Sequence, residues 1–189
     1  MTRTDPNPRK DRVCQGDVLR EVEYFESVFE KGGVLEVTKV VFPLAIVLTQ
    51  DCDLEQDHKF RAHEQETRDK WLISVLLAPM YNAQHFQVGE HLSDIDIKSQ
   101  AFGSKERKRI WQNNNPRYHY FEFESSIGLV PCVVDFKHYF SAPVPYLEKV
   151  KSENFVCKVS ELYREDISQR FASFLSRIGL PDQGEQQQE

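Results

Sequence analysis

A thiol between two carboxylates stands at the exit of the most apolar stretch of the chain, where Val40–Thr49 runs straight into Gln50-Asp51-Cys52-Asp53. On extended backbone, successive side chains face opposite ways, so Asp51 and Asp53 share one face and Cys52 takes the other. A thiol acts as nucleophile or ligand only once it has lost its proton, and two adjacent carboxylates oppose that loss. A histidine or arginine brought in from elsewhere has to outweigh them. The competing reading is a packed cysteine in a turn whose aspartates accept from backbone N–H groups.

Two later stretches offer the missing groups. In Arg117-Tyr118-His119-Tyr120, a strand puts Arg117 and His119 on one face. That pair suits phosphodiester chemistry, because histidine moves a proton near neutral pH and arginine holds the charge that develops on phosphorus. His119 could equally serve Cys52 as a base. In Asp135-Phe136-Lys137-His138-Tyr139, His138 could share the site with His119. The alternative for both stretches is an aromatic strand with its polar side chains at the solvated face. Cys52, His119, His138 and an aspartate would make a zinc shell, but no C-x-x-C or H-x-x-x-H pair supports it, and no metal or other cofactor is expected. Lys105, Arg107, Lys108 and Arg109, followed by Trp111 and three asparagines, form the one basic cluster. Cations beside an aromatic ring suit a single-stranded nucleic acid, through phosphate contact and base stacking. The alternative is a solvated helix.

The elements that must position these groups follow from pattern. The chain has 189 residues, 40% apolar and 29% charged, with net charge −6. This is the composition of one globular domain, and the acidic balance argues against a broad nucleic-acid footprint. Residues 1–13 read as a flexible tail, 14–180 as one domain and 181–189 as a disordered tail. The N-terminus carries no apolar signal core and no apolar run reaches a membrane span's length, so a cytoplasmic protein is expected. The four cysteines are widely spaced, which fits reduced thiols. Val18–Phe29 and Val34–Phe42 read as a hairpin with a wide loop at Gly32-Gly33, and Pro43 as a bend. Leu44–Leu48 and Trp71–Ala78 read as buried strands, with Glu55–Lys70 a charged loop or exposed helix. Lys105–Gln112 is a short helix. Arg117–Glu124, Leu129–Phe136, His138–Ala142 and Phe155–Val159 are further strands, the block being closed by Pro143 and Pro145. Ser160–Ile178 is an amphipathic helix whose face carries Leu162, Ile167, Phe171, Phe174, Leu175 and Ile178. Many short strands and one strong terminal helix predict a mainly β, α+β fold: a small antiparallel barrel or half-barrel with helices packed on it.

Gly16-Asp17-Val18 opening a strand, followed by Pro43-Leu44-Ala45-Ile46-Val47-Leu48-Thr49 running into a polar turn, resembles the PemK/MazF-like toxins. The resemblance covers the first third of the chain. It implies an SH3-like β-barrel, often dimeric, with metal-independent RNA cleavage as its usual activity and an antitoxin as its usual partner. The family's arginine before the second strand has no match here, where Lys39 is followed by apolar Val40-Val41-Phe42.

The leading expectation is therefore a bacterial toxin-like or toxin-derived module that acts on RNA, as a metal-independent ribonuclease or as a binder. In the nuclease version Arg117 stabilises the phosphorane, His119 is acid and base, Thr49 and Gln50 position the phosphate, and Arg117 and His119 project toward the Thr49–Asp53 turn. A second expectation is a catalytically inactive protein-interaction or regulatory module of the toxin–antitoxin or phage-defence type. A third is a Cys–His hydrolase using Cys52 and His119. The partners expected are an antitoxin or regulator, single-stranded RNA, or a second copy of the chain, and no membrane.

Overall fold

The computed structural model describes residues 1–63 and 67–177. Among these lie seven strands and five short helices. In chain order they are β1 (Asp17–Lys31), β2 (Val34–Val47), α1 (Asp51–Arg61), β3 (Val75–Asn82), α2 (Ala83–Val88), α3 (Ser104–Trp111), β4 (Tyr118–Phe121), β5 (Cys132–Asp135), β6 (Phe140–Ala142), α4 (Val144–Asn154), β7 (Phe155–Lys158) and α5 (Glu161–Leu175). The strands form one antiparallel sheet in the order β4-β5-β3-β2-β1-β7, with β6 also paired to β3. The protein is thus α+β, as its pattern predicts, but the sheet is not closed, because β4 and β7 do not pair.

The two open edges are linked by the N-terminal segment. Thr2 bridges to Phe123 and Thr4 to Val159, and the Tyr163 hydroxyl donates to the Met1 carbonyl at 2.7 Å. Residues expected as a loose tail are therefore pinned, and Arg12 is almost fully buried. The far C-terminus, with Ile178, Gly179, Pro181 and the expected tail 181–189, lies outside the described residues.

β1 and β2 make a far longer hairpin than expected, and its loop is tight: Gly32 (φ 61°) and Gly33 (φ 79°) alone connect Lys31 to Val34. Two successive left-handed residues match the right-handed twist of the paired strands, and glycine adopts them without cost. Pro43 does not end β2. Arg20 pairs with Leu44 and Val22 with Phe42, and between them Glu21 takes a left-handed φ of 53°. Proline has no N–H to offer a ladder, and the partner strand yields at that place. At the start of β1, Gly16 has φ 80°, and a Cβ there would stand 2.6 Å from Val159. The glycine lets β7 close on β1, while Asp17 beside it is fully buried against Lys151 Nζ at 2.7 Å.

Three small cores result. Ile46, Val134, Phe136, Cys157, Ile167 and Phe171 represent the one beneath α5. Leu162 and Leu175 of that helix are exposed rather than buried, because the packed stripe is narrower than its apolar pattern. The opposite face of β1, β2 and β3 packs on α4 and Leu54. This helix falls where Pro143 and Pro145 were read as closing a β block; proline in a helix's first turn costs no hydrogen bond, and Pro145 occupies that position. The third core, around Phe86, Ile110 and Tyr118, lies under α2 and α3.

Candidate functional site

The polar turn after β2 is a helix start. Gln50 is the N-cap residue of α1, and Asp51 and Asp53 fall in its first turn, where carboxylates favour the helix dipole. Helical backbone separates successive side chains by about 100°, so the alternating arrangement expected of Asp51, Cys52 and Asp53 does not form. Asp51 accepts from Arg12 Nη1 and Nη2 at 3.1 and 3.0 Å and from the Gln15 N–H at 3.1 Å. Burial pushes its carboxyl up, but these donors outweigh that and hold it below its ordinary value. Thr49 is also structural, its hydroxyl accepting from the Leu76 N–H at 2.7 Å. Cys52 is exposed, not packed, and its Sγ lies 3.7 Å from both Gln50 Oε1 and Asp53 Oδ1. The hollow here, about 270 Å³, is bordered by Gln15, Arg164 and Ser168, and no histidine lines it among the described residues.

His119 is elsewhere. It is 2% exposed, between Phe121 (ring centroids 4.5 Å apart) and Phe136 (6.4 Å), in the core under α5. Burial, aided by Arg170, drives its pKa down to about 3. The expected pairing of His119 with Cys52, and of Arg117 with His119, does not occur. Arg117 precedes β4 rather than belonging to it, so strand alternation does not govern its direction. It is drawn instead to Asp135, opposite Tyr118 in the ladder, with Nε–Oδ1 2.8 Å and Nη2–Oδ2 2.5 Å. Its histidine neighbour is His138, whose Nε2 is 3.7 Å from Asp135 Oδ2 and whose Nδ1 is 3.0 Å from the Tyr81 hydroxyl. Cys52, His119 and His138 therefore lie in three separate places, and no group of three or more candidate metal ligands is found among the described residues.

The basic cluster is assembled as a surface. α3 begins at Ser104, with Gly103 as its N-cap residue. Lys105, Arg107, Lys108 and Arg109 are all exposed, with Arg109 held by Glu106 at 3.1 Å. Trp111 closes the helix and stacks on Tyr120, with ring centroids 5.2 Å apart and planes 20° from parallel. Asn113, left-handed at φ 55°, fixes this stack: it receives the Tyr120 N–H at 2.6 Å and donates to the Tyr120 carbonyl at 3.2 Å. Trp111, Tyr120 and Arg107 border a cavity of about 470 Å³ that Asn82, Gln84 and Gln87 also line. Those three amides were missed in the sequence, because the apolar face of α2 is only Ala83 and Phe86. The signal that could have found them is Asn82 seven residues before Gly89: Asn82 caps α2, accepting from Gln84 N and His85 N, and Gly89 ends it.

No protein-family model matches the chain, and neither does any curated protein or solved structure.

Proposed function

We propose that the chain is a toxin-like module that binds single-stranded RNA along the α3 cavity. The observation that carries this is the Trp111–Tyr120 stack lining a 470 Å³ cavity, with Arg107 in the same lining. A base can slide over such a platform, a contact worth about 1–3 kcal/mol per base. Lys105 and Lys108 lie beside it for the phosphates, and the amides of the lining can read base edges or a 2′-hydroxyl. With a net charge of −6 the attraction is local, so binding is modest and falls steeply with salt. The PemK/MazF-like reading rests on the order of β1 and β2, with Gly16-Asp17 at the start of one and Pro43–Val47 in the other. Cleavage by Arg117 and His119 is not part of the proposal, since the two do not meet. The test is titration of a uridine-rich RNA oligonucleotide into the Trp71→Phe variant, in which Trp111 is the sole tryptophan. Saturable quenching of Trp111, lost in Tyr120→Ala, is expected; an unchanged signal at saturating RNA overturns the reading.

A second reading, a protein-interaction module, is favoured by the hairpin. Beyond Glu23 and Val41 its two strands carry no buried residue. Phe25, Val28, Leu35, Val37 and Val41 are nonetheless 46–65% exposed, and the register places them on one face. Apolar patches of this kind mark contact surfaces.

A further inference from the structure

A second cavity, of about 370 Å³, opens on the same small core as the α3 cavity but at its other side, where the loop after α2 passes the start of β4 and the end of β5. Two cations, Arg117 and Lys137, reach it. Asp135 is the one carboxylate lining it among the described residues, and that group is already engaged by two N–H groups of Arg117 and by the Lys137 backbone N–H. A guanidinium has five N–H donors, so Arg117 keeps its Nη1 end without a hydrogen-bond partner among the described residues. Lys137 is exposed and has no ion pair among them.

The rest of the wall is aromatic. Phe86 stacks on Phe102 (5.2 Å, 14°), and Tyr118 meets both edge-on at 5.2 and 5.7 Å. His91 leans on Phe86 at 4.5 Å, and its buried Nδ1 has no hydrogen-bond partner. An orphaned buried nitrogen is uncommon, and the ring that carries it borders the cavity.

We propose that this cavity is a binding site for an oxyanion carried on a planar ring, the oxyanion on Arg117 and Lys137 and the ring against Phe102 and Tyr118. A nucleoside monophosphate and an aromatic carboxylate share this chemistry, and both fit the volume. The site stands on residues that the RNA reading does not use.

The test is titration of the full chain with adenosine, guanosine, cytidine and uridine 5′-monophosphates, with the parent nucleosides and with benzoate. The histidine ring NMR signals are read on this chain, and Trp111 fluorescence on its Trp71→Phe variant. The expected result is saturable shifts of His91 and His138 by at least one of the ring-borne anions, with any parent nucleoside about tenfold weaker. Lys137→Gln, a change at an exposed side chain, is expected to weaken binding about fivefold at unchanged melting temperature. A monophosphate preference assigns a nucleotide site, and a benzoate preference assigns a carboxylate site. The proposal is overturned if no anion moves His91 and His138, if a nucleoside binds as tightly as its monophosphate, if Lys137→Gln leaves affinity unchanged, or if only Trp111 responds. The last result would place the ligand in the α3 cavity.

Discussion

His119 shows how far a residue's type can mislead about its use. It sits in a strand two residues after an arginine, and its environment keeps it neutral: burial lowers its pKa to about 3, and Nδ1 has no hydrogen-bond partner among the described residues. The unfolded chain takes up this proton near pH 6.5. Because the folded pKa is depressed, the contribution is fully present above pH 6.5 and is lost as pH falls through about 3. His119→Leu should remove one proton from that dependence, a slope change of about 1.4 kcal/mol per pH unit between these limits. At pH 7 it should leave stability the same or higher by about 1 kcal/mol, since the orphaned nitrogen goes with it. Urea unfolding at pH 7 and pH 5 measures both. Lys151 is the opposite case. Its ammonium contacts Asp17 and the carbonyls of Arg9 and Arg12, each at 2.7 Å, so Lys151→Met strands a buried carboxylate. The expected loss is about 3–5 kcal/mol, with partial recovery on adding Asp17→Asn.

Among the elements, the β1–β2 hairpin departs most from what folding requires. A two-stranded ribbon is marginal in water by itself, and here its outer part displays valines, phenylalanines and a leucine to solvent. Replacing Val28 and Leu35 together by lysine should leave the melting temperature within about 4 °C, because surface changes away from the core stay within about 0.5 kcal/mol each. It should also abolish any self-association or partner capture that the apolar stripe supports. A clear loss of thermal stability would show that the stripe belongs to the fold. Strand existence was legible in the sequence where both faces are apolar, as in Leu44–Leu48, but the Trp71–Ala78 run becomes a strand only at Val75, with Ile73 exposed before it. What was not legible was local. Proline signals both strand ends and helix starts, which hid α4. Gln50-Asp51-Cys52-Asp53 reads as a turn or as a helix start until the partner of Asp51 is known, and that partner, Arg12, is 39 residues away.

For the whole molecule, the α+β class followed from the pattern of many short strands and one strong terminal helix, whereas the openness of the sheet and its bridging by residues 1–4 depend on pairings too distant to read. Site assembly failed in sequence for the same reason. Arg117, His119, Cys52 and His138 were grouped by chemistry, and the fold distributes them over three places. The basic cluster and Trp111 were grouped by adjacency on one helix, and α3 keeps them together, with Arg107 and Trp111 lining the cavity. The central claim is that this group holds single-stranded RNA by phosphate contact and stacking. The most direct measurement is the salt dependence of RNA affinity for the natural chain and for Lys105→Ala/Arg107→Ala/Lys108→Ala. Each lost phosphate contact should reduce the slope of log affinity against log salt by about 0.7, so a reduction of about 2 and a loss of most affinity at low salt are expected. Equal affinities and equal slopes for the two proteins would contradict the account.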